Sequence, residues 1–195
     1  MKTYKKVILL FLIIISCFLL YRFINTYAKY RSSIQQTTDI GIARWDLKVN
    51  NVSIQNAQNT SFTIQPTFPG NAHIASGIIA PTAEGYFDLT IDYTNVDVSF
   101  MYSITVEPNA NSSVSDLIVT GYSLDHGEVI DFDPDDGIEN TIYRNSGTTS
   151  QDITIYIKWD DTNGSMNNIA DTSATLSTAN DALLDVTVSF IQVTN

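Results

Sequence analysis

From Phe87 to Tyr93 the chain reads Phe-Asp-Leu-Thr-Ile-Asp-Tyr, apolar and polar residues in strict alternation. A period of two sends successive side chains to opposite sides of an extended backbone, so such a segment buries its apolar side only as a strand in a sheet. Residues 98–106, Val-Ser-Phe-Met-Tyr-Ser-Ile-Thr-Val, repeat the pattern after a short connection at Asn95. Further strands are expected over residues 40–49, 52–54, 61–64, 75–80, 117–124, 138–144, 152–159 and 183–193. Asn50-Asn51 reads as a turn, as do residues 81–85, and Pro66, Pro69 and Gly70 break the chain between strands. Residues 162–180, rich in Asn, Ser, Thr and Ala, read as a long loop, with one helical turn expected near 179–184. The pattern amounts to roughly eight to ten short strands, with no long amphipathic helix and no internal repeat. That is the signature of an all-β sandwich or barrel. Short connections between the middle strands predict antiparallel pairing.

The first 28 residues follow different rules. Lys2, Lys5 and Lys6 precede an apolar run from Val7 to Tyr21. Arg22 ends the run, and Thr26-Tyr27-Ala28 supplies small residues. This is the layout of an export signal, with cleavage expected between Ala28 and Lys29. Two other readings stand beside it. The run is shorter than the ~20 residues that span a bilayer, but its flanks can snorkel and retain it as an anchor. Alternatively, Ile14-Ile15-Ser16-Cys17 loosely matches a lipidation site, although Phe18-Leu19-Leu20 continue apolar beyond the cysteine. Cys17 is the only cysteine, so removing residues 1–28 leaves no thiol for disulfide, nucleophile or metal ligand. The expected organisation is a leader at 1–28, an N-terminal segment at 29–38 and a single β domain at 39–195, with residence outside the cytoplasm.

All 21 acidic residues follow Ala28, together with only six of the ten basic ones, a net charge of −15 for residues 29–195. Such a surface repels nucleic acid and anionic lipid, so neither is an expected partner. Any membrane contact would run through the leader. The 21 aromatic residues (10 Tyr, 9 Phe, 2 Trp) exclude a disordered acidic tail.

Asp131, Asp133 and Asp135 alternate in an acidic stretch, and their carboxylates are candidates for one hard cation such as calcium. An EF-hand is excluded, because the glycine, Gly137, falls one position late and Ile142 stands at the twelfth position, where a glutamate is required. Otherwise the stretch is a solvated acidic loop. Trp159-Asp160-Asp161-Thr162-Asn163-Gly164 is a second oxygen-rich turn, explained equally by Asn-Gly turn chemistry. The two histidines, His73 and His126, lie 53 residues apart with no His-Glu-x-x-His, and no Gly-x-Ser-x-Gly elbow occurs. No catalytic residue is assigned. Trp45 and Trp159 sit inside strand patterns and read as core anchors, and the alternating tyrosines suit strand faces or subunit contacts. The chain stops at Gln192-Val193-Thr194-Asn195 without Leu-Pro-x-Thr-Gly, so sortase attachment is not expected.

Several blocks together carry a family likeness: YAKYRSS after the leader, then IGIARWDLKVNN, IAPTAEGYFDLTIDYTNVDVSFMYSITV, ITIYIKWDD and the final VTVSFIQV. Their order resembles that in the TasA and camelysin family of exported Gram-positive proteins. The resemblance implies an antiparallel jelly-roll β-sandwich behind a signal cut by a SipW-type peptidase. It also implies a non-enzymatic role, assembly with other copies into extracellular fibres of a biofilm matrix. In such fibres an N-terminal segment adds as a strand to the next subunit, satisfying the unpaired backbone of a sheet edge. The corresponding segment here is residues 29–38, with Tyr30 and Ile34 as its apolar anchors; the alternative for it is a plain linker. Camelysin-like members also imply a surface metallopeptidase as an alternative. A membrane-anchored module binding a carbohydrate or protein is a third reading.

Overall fold

Phe87, Leu89 and Ile91 are buried and Asp88 is exposed, as the alternation demands. The computed structural model describes residues 4–6, 8, 11–22, 41–54, 58–162, 168–176 and 182–193. It divides into two units, Met1–Ile42 and Ala43–Asn195. In the first, helix α1 (Tyr4–Arg22) has 19 residues and a mean hydropathy of 2.1, long and apolar enough to cross a membrane. At 1.5 Å per residue it spans about 28 Å, close to a bilayer's hydrocarbon thickness. A signal sequence meets the same test.

In the second unit the described residues form ten strands and one helix. The strands are β1 (Trp45–Val49), β2 (Val52–Ser53), β3 (Asn59–Ile64), β4 (Glu84–Val96), β5 (Phe100–Pro108), β6 (Leu117–Leu124), β7 (Ile130–Asp131), β8 (Ile138–Ile142), β9 (Ser150–Trp159) and β10 (Leu184–Gln192), with helix α2 (Asn168–Leu176) between the last two. One sheet has the order β2-β1-β4-β9-β6-β7 and the other β3-β10-β5-β8, and every pairing is antiparallel. The fold is therefore an all-β, two-sheet antiparallel sandwich. Its core is the set of inward residues of both sheets, Leu89, Ile153 and Ile155 from one and Ile104, Val186 and Val188 from the other. Trp159 is buried in this core, and Trp45 packs edge-on to Phe100.

The antiparallel expectation holds, but sequence neighbours are rarely paired. Among the described strands only the short β1–β2 and β6–β7 links are hairpins, and the other steps between consecutive strands cross from one sheet to the other. β4 and β5, three residues apart, lie in opposite sheets. The link between them is a corner because Phe100 must enter the core against Tyr93 of one sheet and Phe190 of the other.

Three local expectations need correction. Residues 75–80 form no strand: they are drawn into a coil in which the Asn71 side chain accepts the N–H groups of His73 and Ile74 (2.8 and 2.9 Å). The first strand begins at Trp45, because Arg44 is held instead by the β4–β5 corner. Residues 168–176 are helical where a loop was expected. Nine residues are too few for an isolated helix, and this one is secured by packing of Ala174 against the core. The expected helical turn near 179–184 falls partly outside the described residues, and Leu184 already belongs to β10.

Candidate functional site

A sheet edge presents N–H and C=O groups with no partner, and a short or charged edge strand blunts that template. The first sheet ends on both sides in two-residue strands. β2 follows β1 through Asn50 and Asn51, both left-handed (φ 48° and 66°), the geometry of a tight type I′ turn. The Asn50 side chain also accepts Thr90 N–H at 2.9 Å, tying the turn to β4. β7 pairs only at Gly121 and Tyr122, beside an irregularity in β6. A Cβ at Gly121 would stand 2.8 Å from the Ile130 carbonyl oxygen, so the close approach of β7 requires a glycine.

The second sheet ends in β8 and β3. β8 has five residues, with an exposed Glu139 and an Asn140 that bonds Gln151 at 3.2 Å. Gln151 also accepts the buried Tyr102 hydroxyl at 2.6 Å, and burial pushes that phenol well above its ordinary pKa. β8 is therefore a charged edge committed to a polar knot.

β3 differs in each respect. Its six residues, Asn-Thr-Ser-Phe-Thr-Ile, carry no charge, no proline and no glycine. Phe190 N–H donates to the Gln58 carbonyl at 2.8 Å, which sets the parity of the ladder. In an antiparallel pair the bonded residues alternate, so Thr60, Phe62 and Ile64 exchange hydrogen bonds with Val188, Val186 and Leu184. The N–H and C=O groups of Asn59, Ser61 and Thr63 then point away from β10, along the free edge. Their side chains stay clear of it as well. Ser61 Oγ lies 2.8 Å from Thr187 Oγ1, and Thr63 donates to Asp185 at 2.7 Å. Asn109 and then Thr63 hold the Asp185 carboxyl below its usual pKa. About 20 Å of uncharged backbone is thus available to an added strand.

Ala28, Lys29, Tyr30 and Ile34, and the whole of residues 29–38, fall outside the described residues. Cys17 is an exposed free thiol on α1. Asp131 sits in β7, while Asp133 caps the following turn: its carboxylate accepts Asp135 N–H at 2.9 Å and its carbonyl accepts Gly137 N–H at 2.8 Å. Among the described residues no group of three or more His, Cys, Asp or Glu is placed to hold a metal ion. His73 lies in the coil after Gly70, and His126 in the β6–β7 turn, its Nε2 4.0 Å from Asp152.

Two features had no signal in the sequence. Arg44 and Asp97, 53 residues apart, form a two-pronged ion pair (Nε–Oδ2 3.0 Å, Nη2–Oδ1 2.9 Å) that closes the β4–β5 corner. Arg44 holds the Asp97 carboxyl far below its usual range. Asp171 of α2 is 7 % exposed, and its buried Oδ1 has no hydrogen-bond partner among the described residues. Desolvation, then the charges of Asp161 and Asp116, raise its pKa. No family model, no curated protein and no solved structure matches this chain, so its geometry alone must carry a functional reading.

Proposed function

We propose that this chain is an exported structural protein, a subunit of an extracellular fibre of a biofilm matrix. In this reading a SipW-type signal peptidase cuts between Ala28 and Lys29, and residues 29–38 of one copy add as a strand to β3 of the next, with Tyr30 and Ile34 as anchors. The observation that carries it is the β3 edge: six uncharged residues whose outward backbone groups at Asn59, Ser61 and Thr63 have no partner among the described residues, beside three edges that are short or charged. Strand addition satisfies such groups directly. The proposed family is that of TasA and camelysin, and the proposed sandwich type is the jelly roll, with which this chain shares the winding of successive strands between two antiparallel sheets. The partner is the chain itself, no catalysis or cofactor is required, and the location is the extracellular matrix or cell surface.

A second reading is favoured by one observation. α1 is long and apolar enough to stay in a membrane, which would make the sandwich an anchored binding module.

Proline at position 61 separates the two. It removes the outward Ser61 N–H and leaves the hydrogen-bonded pairs with β10 intact. The processed chain should form filaments by electron microscopy, and Ser61→Pro should abolish them without lowering the melting temperature by more than a few degrees. Undiminished filaments in Ser61→Pro would refute the β3 edge as acceptor. An intact leader in the membrane fraction without filaments would favour the anchored module.

A further inference from the structure

Residues 43–195 carry 20 acidic side chains against four basic ones, Arg44, Lys48, Arg144 and Lys158. Two of these four line one cleft of about 170 Å³ where the β4–β5 corner meets the β8–β9 connection. Arg44 is occupied by Asp97. Arg144 makes no ion pair among the described residues, although its charge helps to lower the Asp97 pKa. Its backbone N–H is pinned by Ser99 Oγ at 3.0 Å, so the loop carrying it is seated on the corner. Hydroxyls complete the wall: Tyr93 Oη lies 2.6 Å and Ser146 Oγ 3.1 Å from Thr148 Oγ1. Tyr143, a residue 61 % exposed, also lines the cleft.

We propose that this cleft binds one carboxylate carried on a sugar ring, that is, a uronic acid residue. A guanidinium without a carboxylate partner is a planar fork that matches a carboxylate through two parallel hydrogen bonds. The surrounding hydroxyls suit ring hydroxyls, and the exposed tyrosine face suits the apolar face of a pyranose. The volume admits a single ring. The strongly negative surface around it selects against densely acidic peptides and nucleic acids, which would meet repulsion on every side. Asp97 also lines the cleft, but its charge is paired with Arg44, so a lone carboxylate on a neutral scaffold meets Arg144 beside an ion pair already closed. The site is independent of the β3 edge and does not rest on the fibre reading.

The full chain, solubilised in neutral detergent, is titrated with sodium D-glucuronate, D-glucose and an Asp-Asp dipeptide, followed by amide chemical shifts. Glucuronate should bind saturably, with shifts centred on residues 93–100 and 143–149. Glucose should bind at least about tenfold more weakly, the weight of a charge-assisted contact. Arg144→Gln, in an exposed loop, should weaken glucuronate about tenfold or more while leaving the melting temperature unchanged. The proposal is overturned if glucuronate does not saturate, if glucose binds equally well, or if Arg144→Gln binds as the parent does. Tighter binding of the dipeptide would overturn the sugar assignment in favour of an acidic peptide.

Discussion

Phe100→Ala tests how the sandwich is closed. Phe100 is 1 % exposed and is the first residue after the β4–β5 corner. Its ring centroid lies 6.0 Å from Trp45 and 5.6 Å from Tyr93, both in the larger sheet, and 6.0 Å from Phe190 in its own sheet. Truncating a buried phenylalanine costs about 3–5 kcal/mol through lost transfer energy and a residual cavity. Edge-on aromatic pairs add ~0.5–1.5 kcal/mol each beyond the buried area. Two such pairs place the expected loss near the top of that range, about 4–5 kcal/mol, against a typical total stability of about 5–15 kcal/mol. At roughly 2–4 °C per kcal/mol for a domain of this size, the melting temperature should fall by about 8–20 °C. Urea unfolding should show a lower midpoint with an unchanged slope, because the surface exposed on unfolding is nearly the same. Phe100→Leu retains most of the volume and should lose only about 1–2 kcal/mol. A loss below about 1.5 kcal/mol for Phe100→Ala would refute the claim that this ring joins the two sheets.

Three further outcomes are expected. Gly121→Ala forces a Cβ to within 2.8 Å of the Ile130 carbonyl, so β7 should detach at a cost of about 1–3 kcal/mol, read as faster amide exchange at Tyr122 and Asp131 with the remaining core protected. Asn51→Gly, at φ 66°, should stabilise by a few tenths of a kcal/mol to about 1 kcal/mol in thermal melts, whereas Asn50→Gly also loses the bond to Thr90 and should not. The pKa of Asp171 is raised in the fold, so the folded state holds that proton more tightly than the unfolded state. Its contribution is complete below the unfolded value of 3.8 and is lost as pH rises through the higher folded value. Asp92, Asp97 and Asp185 are lowered and act oppositely: they stabilise above 3.8 and lose that contribution as pH falls. Asp171→Asn should therefore be more stable than the parent at pH 7 and lose that advantage at acid pH, as measured by urea midpoints. A constant difference across pH would refute the assignment.

The β class was legible in the sequence because strand burial has a period of two, and each long strand shows it within its own residues. Phe87-Asp88-Leu89-Thr90-Ile91 states which side chains go inside, and Asn50-Asn51 states a left-handed turn, both by local stereochemistry. The boundaries of β6 were likewise readable from residues 117–124. What the sequence could not state is which strands meet. β4 pairs with β9, more than fifty residues away, in preference to β5, three residues away. That choice is made by the simultaneous burial of Phe100, Tyr93 and Phe190, a condition no single segment contains. The same holds for residues 168–176, whose composition is loop-like but whose Ala174 packs on the core. The candidate sites divide in the same way. The acidity and the basic, apolar N-terminal stretch are properties of composition. The open β3 edge depends on which strand the topology leaves without a neighbour. The arginine cleft depends on a corner and a loop, some fifty residues apart, being folded against each other, because electrostatic and hydrogen-bond partners are chosen by distance in space.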